Sequence, residues 1–333
     1  MHRRSFIGKT TVATTGFLLP WKGLSSVFNS VNFGLIADPH KDLLHDVDGR
    51  LETFLAATEK NPTDFVIQLG DFCFPKSENR TFLNLWNSYS GPKYHVLGNH
   101  DMDTSSKGET MEFWQMPSNY YSFDQQGFHF VILDANFLNY DGQYQDYDTA
   151  NFYVNSGLRT WINPDQIEWL KVDLRETTLP TIIFSHQSLV NDLWGIKNRS
   201  VIQQIFEEEN HKSDFQKVLA CFNGHNHIDA LRKVNDIYYI DINSMSYQWL
   251  GEKYQTKARY AEELYERYPM MTNMAPYEKS LFAFVEISQL GIKIDGVESD
   301  YVGPSPSELG LTEEVYGFPF TSNLSSRELA FNH

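Results

Sequence analysis

The sequence predicts an α/β fold. Short apolar runs rich in β-branched and aromatic residues alternate with stretches whose apolar residues recur at helical spacing. Several of the apolar runs also end in polar tips drawn from the same few residue types. Repeated strand, tip and helix imply βαβ units, with functional groups at the carboxyl ends of strands, where open α/β sheets bind ligands.

Val31–Ala37 reads as a buried strand ending in Asp38-Pro39-His40, and helical spacing of Leu43, Leu44, Val47, Leu51, Phe54 and Leu55 predicts a helix over 42–59. A second strand, Asp64–Leu69, ends in Gly70-Asp71. A polar helix near 77–88 leads to a third strand, Tyr94–Leu97, and then to Gly98-Asn99-His100-Asp101. Tyr120–Asp124 and Phe128–Asp134 look like antiparallel strands about a Gln-Gly turn. Residues 136–161 are rich in Tyr, Asn, Asp and Gly without a period, as expected of a functional loop or lid. Asn163-Pro164-Asp165 caps a helix running to Arg175, with the amide at the N-cap, proline in the first turn and an acid near the amino end. Thr181–Ser185 is a strand ending in His186, helical sequence covers 199–211, and the strand Lys217–Phe222 ends in Asn223-Gly224-His225-Asn226-His227. Strands over 237–242, 281–287 and 292–297, an amphipathic helix near 257–267 and an irregular tail after Val302 complete the chain.

The tips carry the chemistry. A glycine at a strand end permits a sharp turn, and Asn99, His100 and Asp101 then supply a metal-binding amide oxygen, an imidazole that can carry a proton and a carboxylate that can orient it. Five such tips on one sheet would converge on one edge: Asp38/His40, Asp71, Asn99/His100/Asp101, His186 and His225/His227. Imidazole, carboxylate and amide oxygen suit Mn, Fe or Zn, and the absence of thiolates argues against a structural zinc or cluster site. So many ligands exceed the need of one ion, and two ions sharing a carboxylate is the economical arrangement.

Composition narrows the partners. Of 333 residues 41% are hydrophobic and 15% aromatic, which describes a globular protein and suits one domain over 31–302 with a tail over 303–333 packed on it. A formal charge of −16 disfavours a nucleic-acid polymer as partner but permits a small phosphorylated substrate, since bound cations invert the local potential. The first 30 residues form a leader: Arg3-Arg4, Phe6 and a modestly apolar stretch to Pro20 resemble a twin-arginine export signal, without an Ala-x-Ala cleavage site, placing the mature start between Ser25 and Val31. This predicts a periplasmic or extracellular protein, and no later stretch is apolar enough for stable membrane insertion. Cys73 and Cys221 lie in or beside apolar runs and read as small buried hydrophobes.

Taken together, Asp38-x-His40, Gly70-Asp71, Gly98-Asn99-His100-Asp101, His186 and Gly224-His225-x-His227 resemble the calcineurin-like metallophosphoesterase superfamily, in the family's order. The resemblance implies a four-layer α/β/β/α sandwich of two mixed sheets with a dinuclear metal centre at the strand tips. It implies Asp38, His40 and His227 on one metal, Asn99, His186 and His225 on the other, Asp71 bridging, His100 beside the substrate and Asp101 orienting it. Purple acid phosphatases resemble the pattern but place glycine where His40 stands and tyrosine where Phe74 stands, so a tyrosinate–iron centre is not expected. The expected chemistry is in-line attack on a phosphoester by water activated between two cations roughly 3.5–4 Å apart, with His100 as general acid. The core motifs do not separate diesters from monoesters; a small phosphodiester or nucleotide is the preferred reading, a phosphatase or a non-catalytic metal-binding protein the alternatives.

Overall fold

Both faces of the central strands are apolar, so each strand must lie inside a sheet covered on both sides. The computed structural model describes residues 30–154, 156–311 and 317–331, and the leader with its paired arginines lies outside the described residues. In chain order the strands are β1 Val31–Ile36, β2 Phe65–Gln68, β3 Lys93–His95, β4 Tyr121–Gln125, β5 Phe128–Leu133, β6 Phe137–Tyr140, β7 Gln143–Asp146, β8 Thr181–Ser185, β9 Val218–Asn223, β10 Ala230–Val234, β11 Ile237–Asp241, β12 Tyr247–Trp249, β13 Met274–Pro276, β14 Ala283–Ser288, β15 Gly291–Gly296 and β16 Arg327–Ala330. The α-helices are α1 Val47–Thr58, α2 Arg80–Asn87, α3 Lys107–Trp114, α4 Pro164–Glu176, α5 Arg199–Lys212 and α6 Glu262–Arg267.

Two six-stranded mixed sheets result, ordered β16-β15-β14-β1-β2-β3 and β10-β11-β9-β8-β5-β4. Strand alternation sorts the side chains into three apolar layers. Phe33, Phe65, Phe130, Phe184 and Phe222 point between the sheets, where Phe33 stacks on Phe65 at 4.8 Å and meets the other three edge-on. Ile36 and Val66 face outward under α1, α2 and α3, against Leu51, Phe54, Phe82, Trp86 and Phe113. Val131, Ile183 and Cys221 face outward under α4 and α5, against Leu170, Leu174, Ile202 and Phe206. This is the α/β/β/α order. Cys73 and Cys221 are free and buried in opposite outer layers, and burial pushes both thiols up.

Both mixed sheets that the family resemblance implies are present, and the tips that read as leaving one sheet are shared between them. β1, β2 and β3 run parallel in the first sheet, β5, β8, β9 and β11 in the second, and the tips divide three and two between them. They still meet, because His225 N donates to the Asp38 carboxylate across the gap at 3.0 Å.

Other differences have local causes. The first helix begins at Val47, not at residue 42, because Asp42 is occupied accepting from Phe74 N (2.8 Å) and Asn79 Nδ2 (2.9 Å). Residues 136–161 hold the β6–β7 hairpin and a 3-10 turn, Asn151–Tyr153, so the aperiodic stretch is structured. The amphipathic segment near 257–267 is helical only from Glu262, since Arg259 is drawn across to the Met274 and Val302 carbonyls at 2.9 and 3.2 Å. In the tail, Arg327–Ala330 adds β16 to the edge of the first sheet. Among the described residues no helix is long and apolar enough to cross a membrane.

Away from the tips, buried His129 of β5 clasps two elements, with Nδ1 2.6 Å from Asp124 of β4 and Nε2 2.9 Å from Asp173 of α4. Burial works against its charge, but hydrogen bonds to Asp173 and Asp124 outweigh it and raise its pKa. A raised folded value gives stability that is complete below the unfolded imidazole value of about 6.5 and is lost as pH climbs through the folded value. The Tm advantage of the native protein over His129→Gln should therefore be greatest near pH ~6 and shrink at alkaline pH; an advantage that grew with pH would contradict the clasp.

Candidate metal centre

The tip residues reach one pocket by adopting a backbone that side chains normally avoid. Asp38 (φ 49°), His40 (51°), Asp71 (51°), His225 (67°) and His227 (49°) all lie in the left-handed region, a conformation that costs of order 1 kcal/mol or more for each such residue. The cost is met locally. The peptide N–H groups of Asp38 and His40 donate to Gly70 O (3.2 Å) and Asp71 O (2.9 Å), so the first two tips extend the sheet ladder. From the far side, Met245 N donates to Ala37 O (2.7 Å), Ser244 Oγ to Asp38 O (2.8 Å) and Ser246 Oγ to Pro39 O (2.9 Å). Two glycines are required by close approach: a Cβ at Gly98 would lie 2.2 Å from the Asp71 carboxylate, and one at Gly224 would lie 2.4 Å from Asp38 Oδ2.

Two groups of candidate ligands result, Asp38/His40/His227 and Asp71/His186/His225, each with its donor atoms within 4.8 Å of one another. Inside them imidazole nitrogens face each other, His40 Nε2 to His227 Nε2 and His225 Nδ1 to His186 Nε2, both at 3.2 Å. His186 Nδ1 donates to Leu69 O (2.7 Å) and His227 Nδ1 to Tyr247 O (2.9 Å), which fixes both tautomers with Nε2 turned inward. Asp71 Oδ2 lies 3.1 Å from His186 Nε2 and 3.7 Å from His40 Nε2, between the groups. Asn99 is buried beside them, and its Oδ1 has no hydrogen-bond partner among the described residues.

This donor set fits metal ions. An orphaned buried amide oxygen, inward Nε2 atoms on rings tethered at Nδ1 and a carboxylate between two nitrogen-rich groups are what a pair of cations requires. The charges agree. Burial drives His40 and His225 well below the ordinary imidazole value, leaving them neutral and ready to ligate. Burial also opposes charge on His186, but Asp71 and then Asp38 overcome it and hold the ring at about 9, so a positive charge is favoured there even without an ion. Asp71 is pulled well below the carboxylate range by His186, His100 and His40 against its own burial.

The carboxylate on the His100 ring is not the expected one. Asp101 turns away and accepts backbone N–H groups from Asp71 (3.0 Å), Phe72 (2.7 Å) and Gly98 (2.8 Å). It is Asp103 whose Oδ2 lies 2.9 Å from His100 Nδ1. The cause is the 3-10 turn His100–Met102, in which positions i and i+3 eclipse, so Asp103 comes round to the face of His100 while Asp101 points inward. The hydroxyl of Tyr153, 3.0 Å from the same nitrogen, was also not predicted. Its only sequence signal was membership of the tyrosine-rich 136–161 stretch. His100 N donates to Asp71 Oδ1 at 2.8 Å, tying the ring's backbone to the centre. Burial opposes its charge, but Asp71 and the Asp103 hydrogen bond raise it to about 9.

Residues 31–229, more than half of the 333, match the calcineurin-like phosphoesterase family. The chain belongs to that family. It is a hydrolase of phosphoester bonds, and the family implies a dinuclear centre of the kind these two groups can hold. Among solved structures, a dimetal phosphatase from Danio rerio is similar at 16% identity and TM-score 0.56, over 83% of this chain and 99% of that one. GAP50, the anchor in the inner membrane complex of Plasmodium, is similar at 15% identity and TM-score 0.51, over 83% of this chain and 90% of that one. At these identities the likeness is one of fold. No curated protein matches the sequence.

The two aspartates of the turn should separate experimentally. Asp101→Ala strands three buried amides at about 1–3 kcal/mol each and is expected to lower both Tm and bound metal by elemental analysis. Asp103→Ala should keep its metal. Equal metal loss in both variants would contradict the assignment.

Proposed function

We propose that this calcineurin-like phosphoesterase is a metal-dependent hydrolase of a small phosphodiester or nucleotide, with His100 as general acid. Asp38, His40 and His227 would hold one ion, Asn99, His186 and His225 the other, and Asp71 would lie between them; Mn, Fe or Zn suit the donors. Bound there, two ions would supply an activated water and neutralise charge on the phosphoryl group.

The observation that carries the acid role is the tethering of His100. Its Nδ1 is engaged by Asp103, its side chain is about one-third exposed, and its ring lies 5.5 Å from that of His40, so Nε2 would be the nitrogen available to a substrate. Asp103 fixes the tautomer and steadies the protonated ring, so Nε2 can hand its proton to the oxygen that leaves.

The preference for a diester rests on charge. A small cleft beside His40 and Asp71, on one side of the centre, is lined by residues that include His100, Asp42 and Asp103, with no lysine or arginine among them. Lys41 and Lys76, which flank it, are paired at 2.6 Å with Asp48 and Asp42. On that side no cation would meet the second negative charge of a monoester dianion, whereas a diester brings one. The chain's charge of −16 disfavours long nucleic acids. Export through residues 1–30 would place the enzyme where it scavenges phosphorylated solutes.

His100→Asn is expected to cost about 10²–10⁴ in kcat with a poor leaving group and much less with nitrophenolate, which departs without a proton. Equal losses on both substrates, or loss of metal, would remove the acid role. On the metal-loaded protein, diesters should exceed matched monoesters in kcat/KM, and Asp71→Asn should abolish both; a monoester preference would identify a phosphatase instead.

A further inference from the structure

Tyr153 is held at His100 by a segment built for the purpose. Its 3-10 turn follows two left-handed non-glycine residues, Thr149 (φ 46°) and Ala150 (φ 59°). Their peptide N–H groups donate to Ser105 O (3.0 Å) and Met102 O (2.9 Å), clipping this segment to the turn that carries His100. Phe152 anchors it from below, fully buried and stacked on Tyr147 at 4.6 Å. The result is a tyrosine whose hydroxyl lies 3.0 Å from His100 Nδ1 although the residue is 54% exposed. Large aromatic residues of this kind are usually buried, and this one is placed and left uncovered.

We propose that Tyr153 is the specificity residue of the leaving-group side: its hydroxyl helps position His100, and its ring receives the planar face of an aryl or nucleobase-bearing leaving group. The geometry allows both at once. Asp103 and the Tyr153 hydroxyl share Nδ1, which keeps the imidazole from turning. The leaving oxygen must lie near Nε2 to take its proton, and a group attached to it reaches the exposed Tyr153 ring by folding back across the His100 ring, the two rings being 6.1 Å apart. The proposal rests on His100 acting as the acid, and it deepens that reading by naming a class of leaving group.

Two variants divide the roles. Tyr153→Phe removes the hydroxyl and keeps the ring; Tyr153→Ala removes both. Binding of phenylphosphonate and butylphosphonate to the metal-loaded protein, measured by calorimetry, needs no turnover and so stands apart from the acid assignment. The native protein and Tyr153→Phe should favour the phenyl ligand by at least about fivefold, the low end of what one stacked ring contributes, and Tyr153→Ala should lose that preference. With an aryl phosphodiester as substrate, Tyr153→Phe should lower kcat with KM unchanged, and Tyr153→Ala should also raise KM. Retention of the phenyl preference in Tyr153→Ala would overturn the stacking role, and native kcat in Tyr153→Phe would overturn the positioning role. Failure of His100→Asn to discriminate leaving groups, with the phenyl preference intact, would remove the acid assignment and leave the aromatic subsite standing.

Discussion

Asp71 is the point on which the molecule depends. Its carboxylate lies between His186 and His40, accepts the backbone N–H of His100, and has its own peptide N–H held by Asp101. One buried anion thereby fixes the separation of two imidazole groups and the backbone position of His100. Such an anion is tolerable only because cationic or metal-bound partners surround it. The fold supplies these from both sheets, and His186 and His100 are each tethered at Nδ1, to Leu69 O and Asp103, so that they cannot relax away. Without those tethers the imidazoles would turn toward water and the carboxylate would take up a proton.

The left-handed backbone at five ligand positions is a consequence of this crowding. A strand leaving a sheet edge in extended conformation sends successive side chains to opposite faces, so no two neighbours could aim at one point. Left-handed residues bend the chain sharply where it leaves the sheet, and at Asp38 and His40, and at His225 and His227, they let one short tip supply two side chains to the paired ligand groups. At order-of-magnitude cost, five such residues represent about 5 kcal/mol, comparable with the net stability of many domains. The aromatic layer between the sheets, centred on Phe33, and the hydrogen bonds from Ser244, Met245 and Ser246 hold the strain in place.

The class of fold and the convergence of the tips were legible because both are local signals: an apolar run, then a glycine or a polar tip. The division into two sheets was legible only through the family resemblance of the motifs, since a strand covered on both faces reads the same whichever sheet receives it. The orienting carboxylate of His100 was misread for a geometric reason. Adjacent residues in the sequence look adjacent in space, but in a 3-10 turn the neighbour that shares a face is three positions on, so Asp103 rather than Asp101 meets the ring. The contact to Tyr153 spans 53 residues and depends on the Thr149–Ala150 bend, which neither composition nor periodicity announces. The edge strand Arg327–Ala330 escaped notice because one solvated face makes it too polar to stand out from a tail.

The same fold serves proteins of different kinds, since both a dimetal phosphatase and an anchoring protein resemble this chain. Architecture alone therefore says little about turnover, and residues that metal binding does not need are the ones that bear on it. His100 is such a residue. A protein that only bound ions would gain nothing from an imidazole kept off the ligand set, held at Nδ1 by a carboxylate and a phenol, and one-third open to solvent. Nor would it gain from a strained segment that brings an exposed tyrosine to that ring. An imidazole held in this way beside two candidate metal groups is what the proposed general-acid step would use.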